Sequence, residues 1–286
     1  MSIPANIECV WEAKAILGEG PCWDARNDTV YWTDIKGQRL HAFGARDGSR
    51  RSWTPEHRIF SLDAPPASWT QPSTDAHWFV GCTAAGFSWI GVRGESVLIR
   101  ALHHPEPTLA NNRFNDGKVG PDGRYWAGTM DDRESQGSGS LYAFNETGAC
   151  ERVDTGYIVS NGPAFSPDGR TLYHTDSARR VIYAFDLDSG GAAANRRVFV
   201  QFGAADGYPD GMTTDRDGNL WVAMWDGARL QRLSPHGERL GHASIPTSRP
   251  TSCVFAANST LFVTSAAIGV SADDRLAGSL FRVDLL

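Results

Sequence analysis

A chain of 286 residues is long enough for one large β domain or two smaller ones, and its formal net charge is −6. Lys and Arg are scattered without a basic block or stripe, which argues against nucleic acid and anionic membranes as partners. No run reaches the roughly 18 apolar residues of a membrane span, and Met1–Cys9 has no basic region followed by an apolar run, so a cytoplasmic protein is expected.

In chain order, Ile7–Ala15 reads as a strand that closes a ring against the last strands of the chain. Leu17-Gly18-Glu19-Gly20-Pro21 then precedes an aromatic strand, Val30–Thr33, and a second strand, Leu40–Phe43. The same order returns as Leu62-Asp63-Ala64-Pro65, His77–Val80 and Phe87–Ile90. It returns again as Phe114-Asn115-Asp116-Gly117, Tyr125–Ala127 and Leu141–Phe144. The fourth copy is Ser160-Asn161-Gly162-Pro163, Thr171–His174 and Ile182–Phe185. The fifth is Tyr208-Pro209-Asp210-Gly211, Leu220–Ala223 and Leu230–Leu233. The sixth is Arg249-Pro250-Thr251-Ser252, Leu261–Thr264 and Leu280–Val283.

The period is about 47 residues, the length of a four-stranded sheet with its turns. It places Trp32, Phe79, Trp126, Tyr173, Trp221 and Phe262 at equivalent positions. The expected fold is therefore all-β: one six-bladed β-propeller over residues 1–286, with four-stranded blades around a central channel. No 3.6-residue periodicity appears, so helices should be few. Asp-Gly turns at Asp122-Gly123, Asp168-Gly169 and Asp217-Gly218 suit tight hairpins. The gap between aromatic and second strands widens at Asp131–Gly139 and Ala266–Gly278, and such insertions build binding faces. Five cysteines without a C-x-x-C pair fit a reducing compartment. Sequons at Asn27, Asn145 and Asn258 read as chance matches.

The first strand of a propeller blade lines the channel, so polar residues at its start face the axis. Glu19, Asn115, Asn161 and Asp210 should converge there, with Asp63 and Thr251 or Ser252 as neighbours. Two carboxylates and two amides form a hard oxygen set. Carboxylates that close repel unless a cation or proton lies between them. Such ligands suit Ca²⁺, Mg²⁺ or Mn²⁺, with Zn²⁺ or Fe²⁺ as alternatives. As a simpler reading, Asn and Asp beside Gly cap turns. His174 reads as a core or channel residue, and Trp225 as a rim residue.

At these residues the chain resembles the SMP-30/gluconolactonase (regucalcin-like) family of six-bladed propellers. The resemblance rests on Leu17–Pro21, Asn112–Lys118, Tyr125–Met130, Ser160–Pro163 and Tyr208–Gly211 and spans nearly the whole chain. It implies one divalent cation, Ca²⁺ by ligand type, held by Glu19, Asn161 and Asp210. It implies a sugar lactone held by Arg113 and Asn115, with Asp210 as general base. Family members carry a substrate-contacting Glu shortly after Gly-Thr-Met. Here the segment is Asp131-Asp132-Arg133-Glu134, ungapped counting puts Arg133 at that place, and Asp132 is the candidate replacement. The closing segment Thr264–Ser271 looks like that of bacterial sugar lactonases.

The implied reaction is metal-dependent opening of an aldonolactone to the sugar acid by a monomer or weak homodimer. No G-x-S-x-G elbow suggests a covalent route. The alternatives are a paraoxonase-type arylesterase or phosphotriesterase, and a non-catalytic propeller that binds calcium or protein. Tyr31-Trp32-Thr33-Asp34 matches a receptor-propeller repeat, but only once.

Overall fold

The computed structural model describes residues 1–257 and 259–286, so the third sequon, which begins at Asn258, lies outside the described residues. Six four-stranded antiparallel sheets make the six blades. Their inner strands are Gly18–Asp24, Ile59–Asp63, Asn112–Val119, Ser160–Phe165, Tyr208–Thr214 and Pro250–Ala257, and each packs beside the next around a closed ring. The helical content among the described residues is one short turn, Ala204–Asp206, and no helix there is long and apolar enough to cross a membrane.

Both chain ends build the sixth blade. Ala5–Trp11 pairs antiparallel with Leu280–Leu285 and forms its outer strand. The closing strand thus stops at Trp11, short of the expected Ala15, whose N–H instead donates to the Gly278 carbonyl. Donating the outer strand from the other end of the chain leaves no open ring.

Blades bury their faces against one another in six apolar clusters, one per interface. The equivalence of the six aromatics needs correction here. Trp126, Tyr173, Trp221 and Phe262 all face the following blade. Trp32 and Phe79 face the preceding blade, and their neighbours Tyr31 and Trp78 take the equivalent place. Strand side chains alternate faces, so a slip of one residue reverses every assignment. In Tyr31-Trp32 and Trp78-Phe79 two adjacent aromatics make that slip invisible in the sequence.

Candidate active site

A defect in the ladder shapes each inner strand where the polar residues lie. In blade 1 Glu19 pairs with Thr33, and pairing resumes only at Cys22–Tyr31, so Gly20 and Pro21 bulge out. In blade 4 Asn161 pairs with Thr175 and Gly162 and Pro163 bulge. Blades 3 and 5 bulge at Asn115-Asp116 and Asp210-Gly211. A bulge leaves extra residues unpaired and re-aims side chains. Gly20 and Gly162 have φ of +54° and +74°, which only glycine adopts without strain. Pro21 and Pro163 lack an N–H and lose nothing by leaving the ladder.

The fold brings together five of the six residues given metal or substrate roles from sequence, with the rim residue Trp225 beside them. Glu19, Arg113, Asn115, Asn161 and Asp210 line one cavity of about 580 Å³ at the channel mouth. Both widened loops reach it, through Glu134 and Ile268. Asp132 does not line it. Its carboxylate accepts from Arg113 Nε and lies 3.4 Å from Lys36 Nζ, so it anchors the guanidinium from behind. Glu134, with φ +57°, presents the loop's carboxylate to the cavity instead. Sequence reasoning missed it. Its signal was a second acid two residues beyond Asp132 in a loop of altered length.

Asp63 and Thr251 are also outside the cavity lining. Asp63 accepts from the Val119 and Ala64 N–H groups at 2.9 and 2.8 Å. Thr251 Oγ1 donates to the Gly18 carbonyl. Both tie neighbouring blades together.

Arg113 can only donate, so the atom of Asn115 that meets its Nη1 at 2.6 Å is Oδ1. Asn115 Nδ2 then donates to the Ser160 carbonyl and to Asn161 Oδ1, each at 2.8 Å. Asn161 Nδ2 donates to Ser177 Oγ at 2.9 Å. This relay fixes the amide oxygen of Asn161 but leaves Asn115 no amide hydrogen for a ligand.

The carboxylates are poorly satisfied. Among the described residues Glu19 accepts from the Gly20 N–H at 3.1 Å, and buried Asp210 Oδ1 has no hydrogen-bond partner. Burial, reinforced by Asp116, pushes the Glu19 carboxyl up to about 8. Burial, then Glu19 and Asp116, raise Asp210 well above the usual carboxylate range. Asp116 is itself pushed by burial up to about 6, against the pull of Lys118 and the Gly117 and Gly162 N–H groups. These groups repel one another in a medium too dry to screen them. A hard divalent cation would satisfy the orphaned oxygen and cancel the repulsion, so the residues fit one. Among the described residues no three His, Cys, Asp or Glu side chains cluster as ligands. The candidate set is two carboxylates completed by the Asn161 amide oxygen.

His174 is fully buried opposite the blade 4 bulge, with its Nε2 2.9 Å from Ser160 Oγ. It supports the strand and does not line the cavity.

Comparison with known proteins gives a consistent picture. A family model described as SMP-30/Gluconolactonase/LRE-like region matches residues 17–267. The 6-deoxy-6-sulfogluconolactonase of Pseudomonas putida is 32% identical over 272 residues, covering 94% of this chain and 90% of that protein. Regucalcin of Gallus gallus is 33% identical over 292 residues, covering 97% and 94%. A luciferin-regenerating enzyme superposes with a TM-score of 0.90 at 29% identity, over 99% of this chain and 96% of that one. A calcium-binding protein, regucalcin, from Agrobacterium tumefaciens superposes with a TM-score of 0.89 at 24% identity, a likeness that speaks to the fold.

Proposed function

The chain belongs to the SMP-30/gluconolactonase/LRE-like family, and from this premise we propose that it is a lactonase that opens a sugar lactone to the sugar acid with a divalent cation held by Glu19, Asn161 and Asp210. The observation that carries the reading is the orphaned, buried Asp210 oxygen, sharing one cavity with Glu19, Asn161 and Arg113. Ca²⁺ suits this all-oxygen set best. When bound, the cation would supply Lewis-acid polarisation of the lactone carbonyl and make a nearby water more acidic.

The remaining roles fall to side chains. Asp210, beside the cation, takes the proton from the attacking water. Arg113, clamped by Asp132, donates to the lactone and fixes its angle of approach. Asn115 keeps Asn161 aimed at the cation. Glu134 accepts hydrogen bonds from sugar hydroxyls. Five free cysteines support a reducing, cytoplasmic setting.

The test is proton release from aldono-1,4- and 1,5-lactones, measured against spontaneous opening. The protein is stripped with chelator, then re-supplied with Ca²⁺, Mg²⁺, Mn²⁺, Zn²⁺ or Fe²⁺. Turnover lost with the metal and restored by one cation is expected. No acceleration with any lactone and metal would overturn the reading.

A further inference from the structure

The wall of the cavity opposite Arg113 is as carefully built as the catalytic side. Arg113 belongs to blade 3 and Arg249 opens blade 6, three blades away in a ring of six, and both line the cavity. Four features fix Arg249. Its Nε donates to Asp226 Oδ1 at 2.6 Å. Its Nη1 donates to the Ile268 carbonyl. Its guanidinium carbon lies 4.7 Å from the centre of the Trp225 ring. The preceding backbone is pinned, because Ser248 donates to Asp274 through both N–H and Oγ at 2.7 Å. Room is also reserved for it: a β-carbon on Gly269 would lie 2.8 Å from Nη1.

Arg249 Nη2 makes no hydrogen bond among the described residues, although the side chain is only 19% exposed. A rigid guanidinium with one edge anchored and another open is suited to an oxyanion. Of the three cationic side chains on the cavity wall, Lys36 and Arg113 share the carboxylate of Asp132 behind it, and Arg249 pairs with Asp226 through Nε alone. Asp226 occupies the Nε edge and leaves the Nη2 edge open.

We propose that Arg249 receives an anionic group (carboxylate, sulfonate or phosphate) at the end of the lactone remote from the reacting carbonyl, so that the preferred substrate is an acidic sugar lactone. This rests on the lactonase reading and narrows it. Trp225 supplies a flat surface under the guanidinium and the adjoining sugar carbons. A neutral substrate leaves the half-buried guanidinium edge unpaired, which is how a polar site rejects a ligand lacking the group it was built for.

The experiment compares kcat/KM of the calcium-loaded enzyme on matched lactones. They differ only at the terminal carbon, which bears a hydroxymethyl, carboxylate, sulfonate or phosphate group. The expected result is a preference of about tenfold or more for at least one acidic lactone. R249Q should lose that ratio, R249K should recover part of it, and the three anions tell which headgroup is favoured. Equal handling of neutral and acidic lactones by the wild type, or an unchanged ratio in R249Q, would overturn the proposal while leaving the lactonase reading intact. A second readout is calorimetric binding of glucose 6-sulfate against glucose. Binding of the sulfate ester that weakens tenfold in R249Q supports the assignment even if no lactone is turned over. No preference for the sulfate ester in the wild type overturns it.

Discussion

Blades 1 and 5 carry the buried Glu19 and Asp210, and blade 2 carries the half-buried Asp63, yet the three acids have different fates. Asp63 receives two backbone N–H groups and ties the inner strands of blades 2 and 3 together. Glu19 receives one, and one oxygen of Asp210 receives none. A buried acid becomes a ligand candidate when the protein withholds donors from it, and a structural staple when it supplies them.

The sharpest way to break this comparison is Asp210→Ala. It should lower kcat by about 10³-fold and abolish cation binding, read by steady-state kinetics and calorimetry. An Asp210→Ala protein with full activity would sink the mechanism.

The next effect is on stability. Glu19 and Asp210 have raised folded-state pKa values, so their contribution is intact below about pH 4 and is lost as pH rises toward 8. A cation reverses that loss. The gain in Tm on adding Ca²⁺ should be several degrees larger at pH 8 than at pH 5, and equal gains would contradict the assignment.

Asp63→Asn tests the other side. It should cost about 1–3 kcal/mol in denaturant unfolding through one weakened backbone acceptor, with cation affinity unchanged. The buried imidazoles work in the opposite direction to the acids. Burial holds His41 at about 4 and His174 at about 3, so both fold neutral and must charge on unfolding. Their contribution is present above about pH 6.5 and falls on acidification, by about 1.4 kcal/mol per pH unit for each. A chevron series between pH 7 and pH 5 with H41Q checks this. The smallest effect is at the clamp: Asp132→Asn should raise KM roughly threefold by loosening Arg113, with cation affinity intact.

Much of this was legible in the sequence. Strands, blades and closure follow from a period that local chemistry repeats six times, and Gly or Pro beside a polar residue marked the channel mouth. Three things were not. The facing of Trp32 and Phe79 was hidden because either of two adjacent aromatics can fill the inter-blade space. The orientation of Glu134 depends on a left-handed residue in a loop that has no repeat partner. The difference between Asp63 and Asp210 lies in which backbone amides from other blades reach them, and no local pattern encodes that.

The sixth blade has a consequence in time. Its outer strand, Ala5–Trp11, is made first and waits for Leu280–Leu285, about 270 residues later. Until that late zipper closes, blades 4 and 5 can pack on each other, but the seam between blades 6 and 1 stays incomplete. A chain still emerging from the ribosome therefore has the proposed ligands before it has their closed ring, and on that proposal cation capture would report closure.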